Sequence, residues 1–200
     1  MITFYGSPMS SAMRTKWMLE EVSVPYEYKK LSIREGDTKK PEYLKLNPGG
    51  KIPCIVDGNV TLTESVAINF YLAEKYGKGL MPTEFIERIR ALEWSLWGLS
   101  NVQPLFITIL QHTMILPESE RDPRAIERAR GFIPGYLQFL DHSLTGKDYL
   151  IGNRFTVADL NVASVLGLAM MVGVDTSGYA NVQAWLTRCQ ARPSFAKSMD

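Results

Sequence analysis

Apolar and polar positions change rhythm once along this chain, near residue 80. Before that point short apolar or alternating runs are separated by turn residues. Ile2-Thr-Phe-Tyr5 predicts a strand, and Gly6-Ser-Pro-Met-Ser-Ser11 a loop of turn and capping residues. Ala12 to Val22 predicts a helix, with Met13, Trp17 and Leu19 in place. Tyr26 to Ile33, entered through Pro25, predicts a second strand, and Lys40 to Lys45 a short charged helix or turn. Ile52–Val56 and Val60–Leu62 predict a hairpin across Asp57-Gly58-Asn59. Ser65 to Tyr76 predicts a helix ended by Gly77. The order βαβ, then αββα, predicts a mixed four-stranded sheet with helices on both faces.

Gly77 to Pro82 predicts a linker, and beyond it the strand signal disappears. Glu84 to His112 predicts a long helix kinked or broken at Pro104. Asp122-Pro123 opens a helix to about Leu144, with a bend at Pro134. Thr156-Val-Ala-Asp159 has the capping spacing, and Phe155 stands where a hydrophobic staple would. The helix it opens, Val157 to Val172, is apolar on almost every side, which predicts burial all round. Val182 to Ala191 predicts the last long helix, stopped before Pro193. The expected domains are residues 1–78, an α/β unit, and 84–200, an all-helical unit.

Composition narrows the class. With 22 basic against 21 acidic residues the net charge is +1, which gives no footprint for nucleic acid. No apolar run approaches the ~20 residues a membrane-spanning helix needs, and the first residues lack signal-peptide character. Cys54 and Cys189 form neither a metal spacing nor a disulfide framework. The expectations are a reducing, cytoplasmic setting, no metal, no nucleic acid and no membrane.

The candidate chemistry begins at Asn47-Pro-Gly-Gly-Lys-Ile-Pro53 and Thr63-Glu64-Ser65. A proline in a strand-like run cannot donate to the ladder, but it fits the strand's entry with a cis bond. Backbone N–H and C=O groups beside it are then free to grip an extended peptide. Thr63-Glu64-Ser65 brings an acceptor, a charge and a hydroxyl to a helix start, beside free N–H groups suited to a carboxylate. Glu64 would pair with an ammonium. Together these suit a small zwitterionic peptide. The alternative is a strand, a turn and a helix cap with only structural work.

The chain resembles the cytosolic glutathione S-transferase superfamily over nearly its full length. The resemblance is carried by Tyr5-Gly-Ser-Pro-Met-Ser10, Leu19-Glu-Glu-Val-Ser-Val-Pro-Tyr-Glu27, Asn47 to Pro53, Leu62-Thr-Glu-Ser-Val-Ala-Ile68, Tyr71-Leu72, Phe155-Thr-Val-Ala-Asp-Leu160 and Val182-Gln-Ala-Trp-Leu186 with Arg192-Pro193, in this order and spacing. It implies an α/β thioredoxin-like N-terminal domain plus an all-α C-terminal domain, glutathione as co-substrate, a small hydrophobic electrophile, and a homodimer. The helix from Ser65 and the long helix from Glu84 would form the dimer interface. Pro53 matches the family's cis-proline, and Ile52 would exchange backbone bonds with the cysteinyl part of glutathione. Glu64 and Ser65 match the pair that holds the γ-glutamyl group. Lys51, and more weakly Lys39 and Lys40, would meet a glutathione carboxylate.

The activating group is read from the serine-rich loop. A free thiol near pKa 8.5 is mostly protonated at neutral pH, and a hydroxyl donor or a helix N-terminus favours the thiolate. Ser10 aligns with the activating serine of plant-type serine classes, and Ser11 with the cysteine of a bacterial class. Ser7 precedes proline as in another class. Ser10 is taken first and Ser11 second, against the alternative that these serines only cap the helix. Tyr5, before Gly6 in the strand, is assigned to packing. Cys54 and Cys189 are read as small buried hydrophobes, His112 and His142 are given no role, and Asp159 is a structural cap. The resemblance puts the electrophile between the domains, with Met9, Met13, Trp97, Asn101, Leu105 and Met170 as lining candidates. The same residues also fit plain core.

Overall fold

The computed structural model describes residues 1–199. By packing, they fall into two compact units: residues 1–81 with the segment from Arg192, and residues 82–191. In the first, a mixed four-stranded sheet runs in the order β2-β1-β3-β4. β1 (Ile2–Gly6) lies parallel to β2 (Tyr26–Lys30) and antiparallel to β3 (Cys54–Asp57), which pairs with β4 (Val60–Thr63). Ile2 and Phe4 point inward from β1, as alternation requires.

Two edges differ from expectation. β2 ends at Lys30 because the Asp37 carboxylate takes the Ser32 N–H at 2.7 Å and draws the chain out of the sheet, leaving Ile33 exposed. β3 starts after Pro53, which has no N–H to give the ladder.

α1 (Ala12–Val22) starts close above the end of β1. A Cβ on Gly6 would lie 2.7 Å from the Phe4 ring and 2.9 Å from the Ala12 Cβ, so only glycine permits that approach. The turn at 37–39 and α2 (Pro41–Leu44) lead into the Asn47 loop, and α3 (Ser65–Tyr76) packs against α1.

In the second unit, the helical stretch expected from Glu84 is interrupted just before Pro104, giving α4 (Phe85–Trp97) and α5 (Gln103–Leu110). They are joined by a wide turn at Gly98–Val102, in which the Gln103 N–H reaches back five residues to the Gly98 carbonyl. Pro104 then sits in the first turn of α5, where its missing N–H costs nothing. α6 (Pro123–Ser143) is capped by Asp122, whose Oδ1 accepts the Arg124 N–H at 2.9 Å, and runs unbroken through Pro134.

α7 (Val157–Leu166) buries every residue except Ser164. The expected continuation to Val172 fails at Gly167, a poor helix former. The short α8 (Leu168–Met171) that follows leaves Met170 90% exposed, and α9 is Ala180–Gln190.

The sequence pattern missed the last helix, α10 (Pro193–Met199). Pro193 ends α9's pattern in the sequence, but in the structure it is the first residue of a new helix. α10 packs on α1: the Trp17 indole donates to the Ser194 Oγ at 3.1 Å and meets the Phe195 ring at 4.9 Å. The Arg192 Nε donates to Glu21 at 3.0 Å. By packing, then, residues 192–199 lie with the first unit.

Candidate functional site

The serine-rich loop turns tightly into α1. Met9 has a φ of +56°, and the Ser10 Oγ accepts the Ala12 N–H at 3.2 Å while donating to the Ser7 carbonyl at 2.7 Å. Ser10 is therefore the residue whose side chain caps the helix start. Ser11 reaches across the unit, its hydroxyl donating to the Ile52 carbonyl at 3.3 Å. Both serines are half-buried, so a ligand at the surface has access to this edge.

The Ile52–Pro53 bond is cis. The loop leading to it is built by Asn47. Its Oδ1 accepts the Gly49 N–H at 3.0 Å, its Nδ2 donates to the Lys51 carbonyl at 2.7 Å, and its carbonyl accepts the Gly50 N–H at 2.9 Å. The Tyr43 hydroxyl donates to the same Lys51 carbonyl at 2.5 Å. Gly50 has a φ of +57°, and a Cβ there would meet the Lys39 Nζ at 2.7 Å and the Thr38 carbonyl at 2.9 Å. Lys39 reaches over this loop to the Gly50 carbonyl at 3.3 Å. Lys40 instead pairs with Asp37 at 2.6 Å, and Lys51 is exposed.

At the start of α3, Glu64 has φ +67° and ψ +111°, a conformation that costs a non-glycine residue about 1–3 kcal/mol. Its exposed side chain makes no capping bond. Ser65 is buried, and its Oγ accepts from the Arg14 Nη1 at 2.9 Å. Arg14 is itself 4% exposed, and burial lowers its pKa to about 10. The Asn69 Nδ2 donates to the Arg14 carbonyl at 3.3 Å. Sequence reasoning missed Arg14. The available signal was a charged residue three and four positions after Ser11 and Ser10, on the same face of a helix.

The remaining polar groups are structural. The Asp57 carboxylate accepts from Lys75 at 2.7 Å, Tyr71 at 2.8 Å and Tyr76 at 2.7 Å, tying the hairpin to α3. Burial opposes its ionisation, but these three donors outweigh it and lower the pKa to about 2. Cys54 is fully buried, and burial raises its thiol to about 11. Cys189 is buried as well. Tyr5 lies against the Tyr43 ring at 5.8 Å. The His112 Nδ1 accepts the Asp122 N–H at 3.0 Å, a link within the helical unit.

Asp159 closes the capping box with Thr156. It also accepts from the Leu150 N–H at 2.8 Å and the Trp185 indole at 2.9 Å. Burial pushes its carboxyl up against four donors.

Of the lining candidates, Trp97 and Asn101 share an open aromatic cleft of about 460 Å³ with Phe132, Tyr136 and Phe139. Met13 and Leu105 are half-buried, while Met9 and Met170 are strongly exposed. Among the described residues no three His, Cys, Asp or Glu side chains are grouped to hold a metal. No helix among them is long and apolar enough to cross a membrane.

The glutathione S-transferase N-terminal domain model matches residues 1–74, and the C-terminal domain model matches 102–193. Glutathione S-transferase 3 of Schizosaccharomyces pombe is 30% identical over 97% of this chain and 85% of its own length. The chain belongs to the glutathione S-transferase superfamily. Its sheet and helices have the thioredoxin-like and all-helical architecture of that superfamily. The theta class enzyme of Xanthomonas axonopodis pv. citri, with glutathione bound, is 31% identical with a TM-score of 0.90, covering 99% of this chain and 96% of that one. A glutathione transferase of Burkholderia graminis, holding two glutathione molecules per subunit, is 28% identical with a TM-score of 0.92, covering 100% and 87%.

Proposed function

We propose that this superfamily member is a transferase that binds glutathione and activates its thiol for attack on small apolar electrophiles, by conjugation and in a detoxifying role. The same thiolate also serves peroxide reduction. In this reading the cysteinyl backbone of glutathione lies along Ile52 and Pro53. Glu64 takes the γ-glutamyl ammonium, Ser65 its carboxylate, and Lys51 and Lys39 face the glycyl carboxylate. A serine hydroxyl donates a hydrogen bond to sulfur. The thiol proton leaves to solvent, a carbon–sulfur bond forms, and the leaving group departs with its electron pair.

The observation that carries this reading is the Ser11 hydroxyl 3.3 Å from the Ile52 carbonyl, which joins the first turn of α1 to the segment that would grip the peptide. So long a bond exchanges easily for one to sulfur. Ser10 is held more tightly, at 2.7 Å. The geometry therefore favours Ser11 as the donor to sulfur, with Ser10 shaping the helix start.

One observation favours a second reading, a glutathione-binding or scaffold protein without transferase chemistry: both serine protons are directed at backbone carbonyls. Replacing each serine by alanine separates the two readings. For an activating serine, turnover falls about 100-fold and the pKa of the bound thiol rises toward ~8.5. If turnover and thiolate absorbance stay unchanged in both variants, serine activation is refuted. A wild-type chain that binds glutathione without turnover supports the scaffold.

A homodimer and a cytoplasmic location belong to the same proposal. The dimer is supported by α4, where Phe85, Ile86, Ile89, Leu92 and Leu96 form an exposed apolar stripe at helical spacing. Ile89→Lys is expected to shift the mass in solution toward the monomer. A wild-type chain already monomeric would refute the dimer.

A further inference from the structure

We propose that Arg14 is a positioning residue that orients the Ser65 hydroxyl toward the γ-glutamyl carboxylate of glutathione, making this buried arginine a determinant of specificity for that group. The inference rests on the glutathione reading of the site.

A guanidinium has donors and no acceptor, so in the 2.9 Å contact between Arg14 Nη1 and Ser65 Oγ the arginine must donate. The serine proton is then excluded from the arginine side and points elsewhere. A hydroxyl that accepts from a cation is polarised into a better donor. Ser65 stands in the first turn of α3, whose first return bond runs from the Ile68 N–H to the Glu64 carbonyl. The N–H groups of Ser65, Val66 and Ala67 come before that bond and have no intrahelical acceptor. Hydroxyl proton, N–H groups and helix dipole therefore converge on one spot that favours negative charge.

Arg14 is held rigidly for this task. It lies in the first turn of α1, is 4% exposed, and its backbone carbonyl accepts from Asn69, one turn beyond Ser65 on α3. Side chain and main chain of one residue are thus both tied to α3, at positions four apart. Burial strips water from the charge, so its field at Ser65 is weakly screened. A surface lysine in its place would be neither fixed nor directional.

The test compares glutathione with an analogue whose γ-glutamyl residue is replaced by 4-aminobutyryl, which lacks the carboxylate in question. Wild type, Arg14→Met, Arg14→Lys and Ser65→Ala are titrated with both peptides, and folding is checked by thermal unfolding. For the wild type, the analogue is expected to bind roughly 10–100-fold more weakly than glutathione. Arg14→Met should lose about that factor for glutathione and little for the analogue. Arg14→Lys should recover part of it. In turnover, the loss should fall on KM for glutathione, with kcat at saturation nearly unchanged.

If Arg14→Met weakens both peptides equally, or neither, the proposal is overturned. Should Arg14→Met not fold, Arg14→Lys and Ser65→Ala still decide, since either must narrow the gap between the two peptides. If the wild type binds neither peptide, the glutathione reading itself has failed and this proposal falls with it. That result differs from a wild type that binds glutathione but shows no Arg14 effect.

Discussion

Each unit buries a charged residue, and the surroundings of the two differ. Asp159 in the helical unit is fully buried, and its two oxygens accept four hydrogen bonds from Leu150, Thr156 and Trp185. Every acceptor direction ends on the protein. Arg14 in the sheet unit is nearly as buried, but one of its bonds goes to Ser65 at a helix start, next to exposed Glu64. A polar cluster that closes on itself holds a fold together. One that ends at a helix start beside the surface has capacity left for a ligand. The same contrast separates Ser10, a cap, from Ser11, which spans to Ile52.

The largest test of the contrast is Asp159→Ala. It leaves the Leu150 N–H, the Thr156 N–H and the Trp185 indole without an acceptor in a dry interior. The expected loss is about 3–5 kcal/mol in urea unfolding. A loss under about 1 kcal/mol would mean the cluster is not what organises the helical unit.

Asp57 asks whether the difference lies between units or between sites. It is a closed cluster inside the sheet unit, with three donors on one carboxylate. Asp57→Asn is expected to cost about 1–3 kcal/mol near neutral pH without changing glutathione affinity. The folded pKa of about 2 lies below the ordinary 3.8, so the ionised form is the one the fold stabilises. That contribution is complete above pH ~4 and is lost as pH falls toward 2. The stability gap between wild type and Asp57→Asn, measured by thermal unfolding across pH 2–7, should close at the acid end. A gap that stays constant would show that the carboxylate's charge plays no part.

How much of this was legible in the sequence depends on range. The cis bond at Pro53, the Gly77 stop and the Thr156–Asp159 capping box are local signals, each set by a few neighbouring residues. The four strands were legible for the same reason, since alternation and turn residues lie within one short window. What the pattern missed depends on contacts distant in sequence. Arg14 lies 51 positions from Ser65, so helix spacing places it on a face without naming its partner. α10 reads as a tail after a proline until Trp17 and Glu21, more than 170 residues earlier, supply its contacts. Of the candidate site, the residue types at Ser10, Ser11, Ile52, Glu64 and Ser65 could be read. The Ser11–Ile52 contact and the support behind Ser65 could not, because both depend on how α1 packs across the sheet unit.

The smallest expected effect marks where the available edge ends. Cys54 directly follows Pro53, so by sequence it stands inside the candidate site. Yet it is fully buried, and its Sγ sits 3.8 Å from the Ile55 carbonyl. Burial raises the thiol to about 11, which leaves roughly one part in a thousand as thiolate at pH 8. Native protein treated with iodoacetamide at pH 8 should therefore leave Cys54 unmodified by mass spectrometry, while the unfolded chain reacts fully. Cys54→Ala should leave turnover nearly unchanged and lower stability by only about 1 kcal/mol, the cost of a small buried group. Rapid labelling in the native state, blocked by glutathione, would move the edge inward to include Cys54. The line between the closed and the available side of this unit would then have to be redrawn on the far side of Pro53.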